Sequence, residues 1–229
     1  MAKETSKCYL RRHERGDFKR YLTGEGIDIG AGDDPLAVEE GSVRAWDKGD
    51  GDAMLMEGVD NESYDFVYSS HCLEHLVDVR TALANWVRIL KPGGVLYVVV
   101  PDFELYEKSC WPSHFNGEHK ASFSLYRNGE ENRRKTHYLI CDLVKWMDRQ
   151  LGVSMLETHL EDAGFDYARF DVDQTELRNG GALSQIYFVG YKRQNGYSRF
   201  HDQGESRREP SPINTPGTGG SSENNGGLT

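Results

Sequence analysis

Gly26-Ile27-Asp28-Ile29-Gly30-Ala31-Gly32 is the stretch whose reading decides the fold. It is a short apolar run stopped by glycine, which predicts a strand running straight into a tight turn. Gly30 and Gly32 lack Cβ atoms, so the backbone there can turn sharply and approach a ligand closely. A G-x-G loop alone is compatible with almost any nucleotide. The dinucleotide fingerprint requires a third glycine three residues after the second, and Pro35 stands there. Asp33 and Asp34 fall where a pyrophosphate would meet the N-terminus of a following helix. Two carboxylates at that point repel phosphate and can cap the helix themselves. The loop therefore suits a ligand without phosphates.

Strand and helix patterns alternate outward from this loop. Val43-Arg44-Ala45-Trp46 reads as a second strand ending at Asp47, and Asp65-Phe66-Val67-Tyr68-Ser69 as another. Leu83, Trp86, Val87 and Leu90 recur at helical spacing before Lys91-Pro92-Gly93-Gly94 stops the helix. Val95 to Val100 is apolar on both faces, as a central parallel strand must be. Residues 139–151 and 155–163 read as helices, with Gly164 past the second, and 165–172 and 185–191 as strands. This order implies a doubly wound α/β sheet closed by an antiparallel hairpin at one edge. Its right-handed crossovers gather the ligand-binding loops at one rim.

Asp47 closes the second strand, roughly 19 residues after Asp28. A carboxylate at that distance can accept hydrogen bonds from both hydroxyls of an adenosine ribose. Gly51-Asp52-Ala53 follows, able to offer a carboxylate and a backbone N–H to an adenine edge. Together with Tyr64 to Ser70, His71-Cys72-Leu73-Glu74-His75-Leu76 and Leu90-Lys91-Pro92-Gly93-Gly94, these motifs span roughly residues 18–105. In that order they resemble the class I S-adenosylmethionine (SAM)-dependent methyltransferases, in particular the methyltransferase-domain group with a Leu-Glu-His motif after strand four. SAM has no phosphate and carries a cationic sulfonium, which agrees with the loop chemistry. The resemblance implies a Rossmann-like, mostly parallel seven-stranded sheet with the last strand antiparallel. It places Asp28, Gly30 and Gly32 along the methionine portion, Asp47 at the ribose, and Asp52 and Ala53 at the adenine. Ser69 and His71 fall where the strand-four loop approaches the cofactor.

His71-Cys72-Leu73-Glu74-His75 also satisfies H-x-x-E-H, a zinc-peptidase pattern that needs both histidines on one helix face and a distant third ligand. The segment follows a strand directly, which puts His71 in a turn, and the methyltransferase context accounts for the residues with no metal. His114, Glu118 and His119 have poor spacing for a metal site. Residues 102–136 form a long connection rich in aromatics (Phe103, Tyr106, Trp111, Phe115, Phe123 and Tyr126), read as a substrate-side insertion or lid. A hydroxyl acceptor would need a base, and His71, Asp102, His114 and His119 are the candidates.

The 229 residues fit one domain over 1–193 followed by a polar, glycine-rich tail over 194–229, whose composition predicts disorder. Mean hydropathy is −0.68, and no run approaches the ~18 apolar residues of a membrane span. The N-terminus reads as no secretory signal. Net charge is −10, which opposes general binding to a phosphate backbone; Arg133-Arg134-Lys135 is the one local basic patch. No Asn/Asp-Pro-Pro-Tyr/Phe motif follows strand four, where amino-methylating DNA enzymes carry one. The four cysteines form no C-x-x-C pair, which points to a reducing cytoplasm. The expectation is a cytoplasmic methyltransferase (EC 2.1.1.-) acting on the oxygen or nitrogen of a small-molecule acceptor, by analogy a sugar or cell-surface glycan precursor. The competing expectation is a non-catalytic SAM-binding partner protein.

Overall fold

The computed structural model describes residues 4–125, 135–161 and 184–194. In chain order its elements begin with three short helices, α1 (Glu4–Lys7), α2 (Tyr9–Arg15) and α3 (Asp17–Tyr21). Strands β1 (Gly24–Ile29), β2 (Gly41–Trp46) and β3 (Tyr64–Ser70) follow, then a single 3-10 turn over Leu73–His75 and helix α4 (Val79–Ile89). The chain continues through β4 (Leu90–Pro101), β5 (Ser122–Ser124), β6 (His137–Leu139), α5 (Ile140–Gln150), β7 (Val153–Glu161) and β8 (Gln185–Lys192).

Six strands form one sheet in the order β2-β1-β3-β4-β8-β7. β1, β2, β3 and β4 pair in parallel, while β8 runs antiparallel to both neighbours, β4 and β7. The doubly wound class with an antiparallel last strand is therefore present, but the main sheet has six described strands, not seven, and β5 and β6 pair separately. The connection between β2 and β3 explains the missing strand. Residues 47–63 hold Gly49, Gly51, Gly58 and four aspartates but no strand-length apolar run. They form turns, and Met56 and Val59 enter the core from them.

Side chains alternate cleanly across the sheet, as period-2 pleating requires. Leu96, Val98 and Val100 of β4 face a core shared with Trp86 of α4 and Leu143 and Met147 of α5. Tyr97 and Val99 face the opposite core, closed by Phe18, Tyr21 and Leu22. α4 buries Val79, Ala82, Leu83, Trp86 and Val87, the three-and-four spacing of an amphipathic helix. Its start is fixed by Asp78, whose side chain accepts the N–H groups of Arg80 and Thr81 at 3.0 and 3.1 Å.

Two local expectations are corrected. No helix follows the glycine loop, so Asp33 and Asp34 cap none; Asp34 instead accepts the backbone N–H of Ser6 at 2.9 Å. Residues 155–161 are strand rather than helix. Leu156 and Leu160 are both exposed on this edge strand. Its other residues are held by β8 and by ion pairs to the second layer, Glu157 with Arg20 and Glu161 with Arg15. The strand expected over 165–172, Tyr126, Arg133 and Arg134 lie outside the described residues, as does the tail beyond Gln194. No described helix is long and apolar enough to cross a membrane.

Candidate functional site

The C-terminal ends of β1, β2 and β3 lie side by side, and the loops leaving them surround a cavity of about 840 Å³. That volume falls within the usual range for small-molecule sites. Gly30, Asp47, Asp52, Ala53 and His71, five of the expected site residues, line it. Lys48, Gly51, Cys72, His75, Leu76, Glu118 and Lys120 complete the wall.

The glycine loop explains its own composition. Gly30 has φ 81°, and a Cβ there would stand 2.5 Å from Cys72 Cβ, so any side chain would collide with the loop after β3. Its N–H and that of Ala31 both donate to the Trp46 carbonyl, at 2.8 and 3.2 Å, which joins the ends of β1 and β2. Gly32 has φ 54°, but nothing lies within 4 Å of its would-be Cβ. The loop is thus closed against protein at Gly30 and open at Gly32.

Asp47 opens a tight turn, its N–H donating to Asp50 Oδ2 at 3.0 Å and its carbonyl accepting from Asp50 at 2.7 Å. Its own carboxylate is exposed to the cavity. Asp52 accepts the N–H of Met54 at 2.7 Å. The loop that follows is bolted to α4: Trp86 Nε1 donates to the Ala53 carbonyl at 2.8 Å, Asn85 to that of Met54 at 3.0 Å, and Arg88 to those of Met56 and Val59. These α4 side chains are invisible to motif reading, yet they hold this wall of the cavity in place.

Two expected residues sit behind the wall. Asp28 is buried and accepts the N–H of Leu36 at 2.7 Å, so it fixes the return of the glycine loop. Burial, only partly offset by that hydrogen bond and by Arg12, pushes its carboxyl up to about 7. Ser69 is fully buried and donates to the Ile29 carbonyl at 2.9 Å, tying β3 to β1.

The other half of the cavity is a cluster of imidazoles. His71 has a left-handed backbone, φ 54°, the kind of conformation concentrated at functional positions. Its Nε2 lies 2.9 Å from Gln185 Oε1. The amide end of Gln185 is turned to Glu161, so its oxygen faces His71, which makes Nε2 the protonated nitrogen. His71 Nδ1 then points toward Glu74, 3.5 Å away. Glu74 is fully buried. Burial raises its pKa, but His71, His75 and His119 outweigh that and hold it below the usual carboxylate range. His119 is buried and pairs with buried Glu107 at 2.5 Å. The Tyr106 ring packs near both His71 and His119, at 6.3 and 5.7 Å between centroids. His114 is exposed and lines no part of the cavity; Phe103 and Phe123 are core rather than lid. Asp102 is buried, with its side chain accepting from Glu104 and Leu105, and burial pushes it up to about 6.

Of the H-x-x-E-H pattern, His71 and His75 do not share a helix face, because a turn and a 3-10 segment replace the helix. What spacing did not show is that the segment after β4 returns His119 to the same glutamate. Glu74, His75 and His119 each offer a ligand atom, all within 4.8 Å of one another. None of the four cysteines forms a disulfide.

Residues 23–98 match the family model described as a methyltransferase domain. No curated protein sequence matches the chain. Among solved structures, a chain of the complex between the Haloferax volcanii Trm112 methyltransferase activator and a methyltransferase is 16% identical, covering 82% of this chain and 96% of that one with a TM-score of 0.48. A SAM-dependent methyltransferase of Thermotoga maritima is 20% identical, with 82% and 98% covered and a TM-score of 0.46. The phosphoethanolamine N-methyltransferase 2 of Haemonchus contortus, solved with SAM, is 15% identical, with 81% and 53% covered and a TM-score of 0.49. The glycine loop, the acidic end of β2 and the loop after β3 all fall inside the stretch that matches the methyltransferase-domain model.

Proposed function

We propose that this chain binds SAM in the 840 Å³ cavity and transfers its methyl group to a small, oxygen- or nitrogen-bearing acceptor. The observation that carries the reading is the convergence of Gly30, Asp47, Asp52 and Ala53 on one wall, with His71 and His75 on the other. The ribose hydroxyls pair with Asp47, and the adenine edge meets Asp52 and the backbone of Ala53. The methionine portion runs over the open side of Gly32. The sulfonium then faces His71 and His75, where the acceptor enters.

Methyl transfer is an in-line displacement in which the sulfonium supplies the activation. The protein's task is to align the acceptor atom behind the methyl group and to exclude water. The pinned Ala53 loop and the interlocked Gly30–Cys72 contact provide that rigidity. His71 lines the cavity and is the imidazole placed to take an acceptor proton. His119 is shielded behind the wall and acts on the site only through its neighbours. Tyr106 and the exposed ring of Phe115, 6.0 Å apart, offer a flat apolar edge suited to a sugar-like acceptor.

Calorimetry with S-adenosylhomocysteine, the demethylated product, tests the first half of the reading: saturable 1:1 binding is expected, and its absence overturns it. Incubating the protein with isotopically labelled SAM and metabolite pools, followed by mass spectrometry, identifies the acceptor. No labelled small molecule from any pool, despite intact binding, would overturn the transfer step.

A further inference from the structure

We propose that Glu74, His75 and His119 form a binding site for a divalent transition-metal ion that opens onto the SAM cavity. The starting point is a buried charge with no adequate partner. Glu74 is fully buried, and neither carboxylate oxygen has a hydrogen-bond partner. An ionised carboxylate left so is costly unless a cation or strong donors reach it. The nitrogens around its Oε1 stand at long range: His71 Nδ1 at 3.5 Å, the outer limit of a hydrogen bond, His75 Nε2 at 3.9 Å and His119 Nε2 at 4.0 Å. These separations suit a small ion between the groups better than direct bonds. Donors about 2.1 Å from a tetrahedral ion lie about 3.4 Å from one another, so His75 and His119 each stand about half an ångström too far from Glu74, and the three donor atoms, all within 4.8 Å of one another, would draw together around an ion.

The surroundings of His119 support the same assignment. Its Nδ1 is held by the buried carboxylate of Glu107, which leaves Nε2 turned toward Glu74. A carboxylate behind an imidazole, fixing its tautomer and raising its basicity, is the usual second layer of a metal-bound histidine. Two imidazoles and one carboxylate favour zinc, cobalt or manganese over magnesium or calcium, which prefer all-oxygen sets. Three protein ligands also leave a position open, as in metal sites that act on a bound ligand. His75 lines the cavity, so that position faces the acceptor side. There an ion would grip an acceptor hydroxyl and lower its pKa, a consequence that rests on the methyltransferase reading, although ion binding itself does not.

The test uses the full chain without a polyhistidine tag and Co²⁺ as probe, followed by its visible absorption and by dialysis. One equivalent is expected to bind with micromolar or tighter affinity, giving ligand-field bands that Zn²⁺ displaces and Mg²⁺ does not. Glu74→Gln and His119→Ala are expected to weaken binding by more than 30-fold, and Glu107→Gln by 10-fold or more. His159→Ala, which removes an exposed imidazole on β7, leaves binding unchanged. Should the buried variants fail to fold, His75→Ala, at a partly exposed position, carries the same expectation. No saturable uptake, or uptake unaffected by these changes, overturns the site. Parallel calorimetry with S-adenosylhomocysteine separates the two readings. Product binding without Co²⁺ binding refutes the metal site alone, and the reverse refutes the methyltransferase reading alone.

Discussion

The indole N–H of Trp86, on α4, donates to the carbonyl of Ala53 at 2.8 Å, so a core residue of a helix holds a loop that lines the cavity. Trp86→Phe keeps the buried ring and leaves that carbonyl without its donor. The loss of one such bond costs about 1–2 kcal/mol. The expected outcome is a Tm lower by a few degrees and a 3- to 10-fold weaker affinity for S-adenosylhomocysteine, read by differential scanning fluorimetry and calorimetry. Unchanged affinity with a lowered Tm would detach the loop from cofactor binding.

Asp47 presents an exposed carboxylate to the cavity and makes its turn through backbone groups. Asp47→Ala therefore spares the fold. Two charge-assisted hydrogen bonds to ribose, at about 1.5 kcal/mol each, correspond to roughly a 100-fold loss of affinity. Calorimetry should show that loss with the Tm of the unliganded protein nearly unchanged.

Gly30 and Gly32 separate two reasons for glycine. Gly30→Ala forces a methyl group to within 2.5 Å of Cys72 Cβ at a left-handed φ, so both overpacking and backbone strain apply, about 2–5 kcal/mol together. Gly32→Ala meets no protein atom within 4 Å and costs about 1–2 kcal/mol from its φ alone. The first variant is expected to unfold at low temperature or fail to accumulate. The second is expected to fold and to bind S-adenosylhomocysteine more weakly, because its methyl group occupies the ligand's side of the loop. Urea titration and calorimetry on both variants check the pair.

Asp28 gives a pH signature. Its folded pKa is about 7 against an ordinary value of 3.8. A carboxyl raised on folding favours the folded state below its unfolded pKa, and that contribution is lost as pH rises through the folded pKa. Asp28→Asn keeps an oxygen for the Leu36 N–H and removes the charge. The variant should gain stability over the parent steadily between about pH 4 and 7, at about 1.4 kcal/mol per unit as an upper slope, then hold level. Urea midpoints of both proteins across pH 4–8 measure the difference; a flat difference would show that the carboxylate is well solvated.

Much of this was legible because local chemistry coincides with tertiary role. The β1 turn needs glycine for steric reasons that composition reveals, and β2 ends on a carboxylate that lines the cavity. The edge of the sheet was less legible. Leu156 and Leu160 carry a helical spacing, but β7 is decided by pairing with β8 and by Arg15 and Arg20, which lie about 140 residues upstream. The site shows the same division. His71 and Glu74 are neighbours in a motif, whereas His119 reaches Glu74 only because residues 102–121 fold back, with Lys120 and Ala121 both donating to the Glu74 carbonyl. Asp28 illustrates the converse: it stands in the motif, yet its buried carboxylate accepts the Leu36 N–H and does not line the cavity.

The insertion of β8 between β4 and β7 sets the order in which the molecule can be completed. Synthesis runs from the N-terminus, so β4 and β7 both exist before the strand that joins them. Until residues 185–192 are made, Val95, Val98 and Val99 stand on an open, strongly apolar strand edge, an invitation to pair with another chain. The last strand is thus a keystone. Nascent or truncated chains ending before Gln185 should be recognised by chaperones and prone to aggregate, even though every residue of the cavity wall has already been translated.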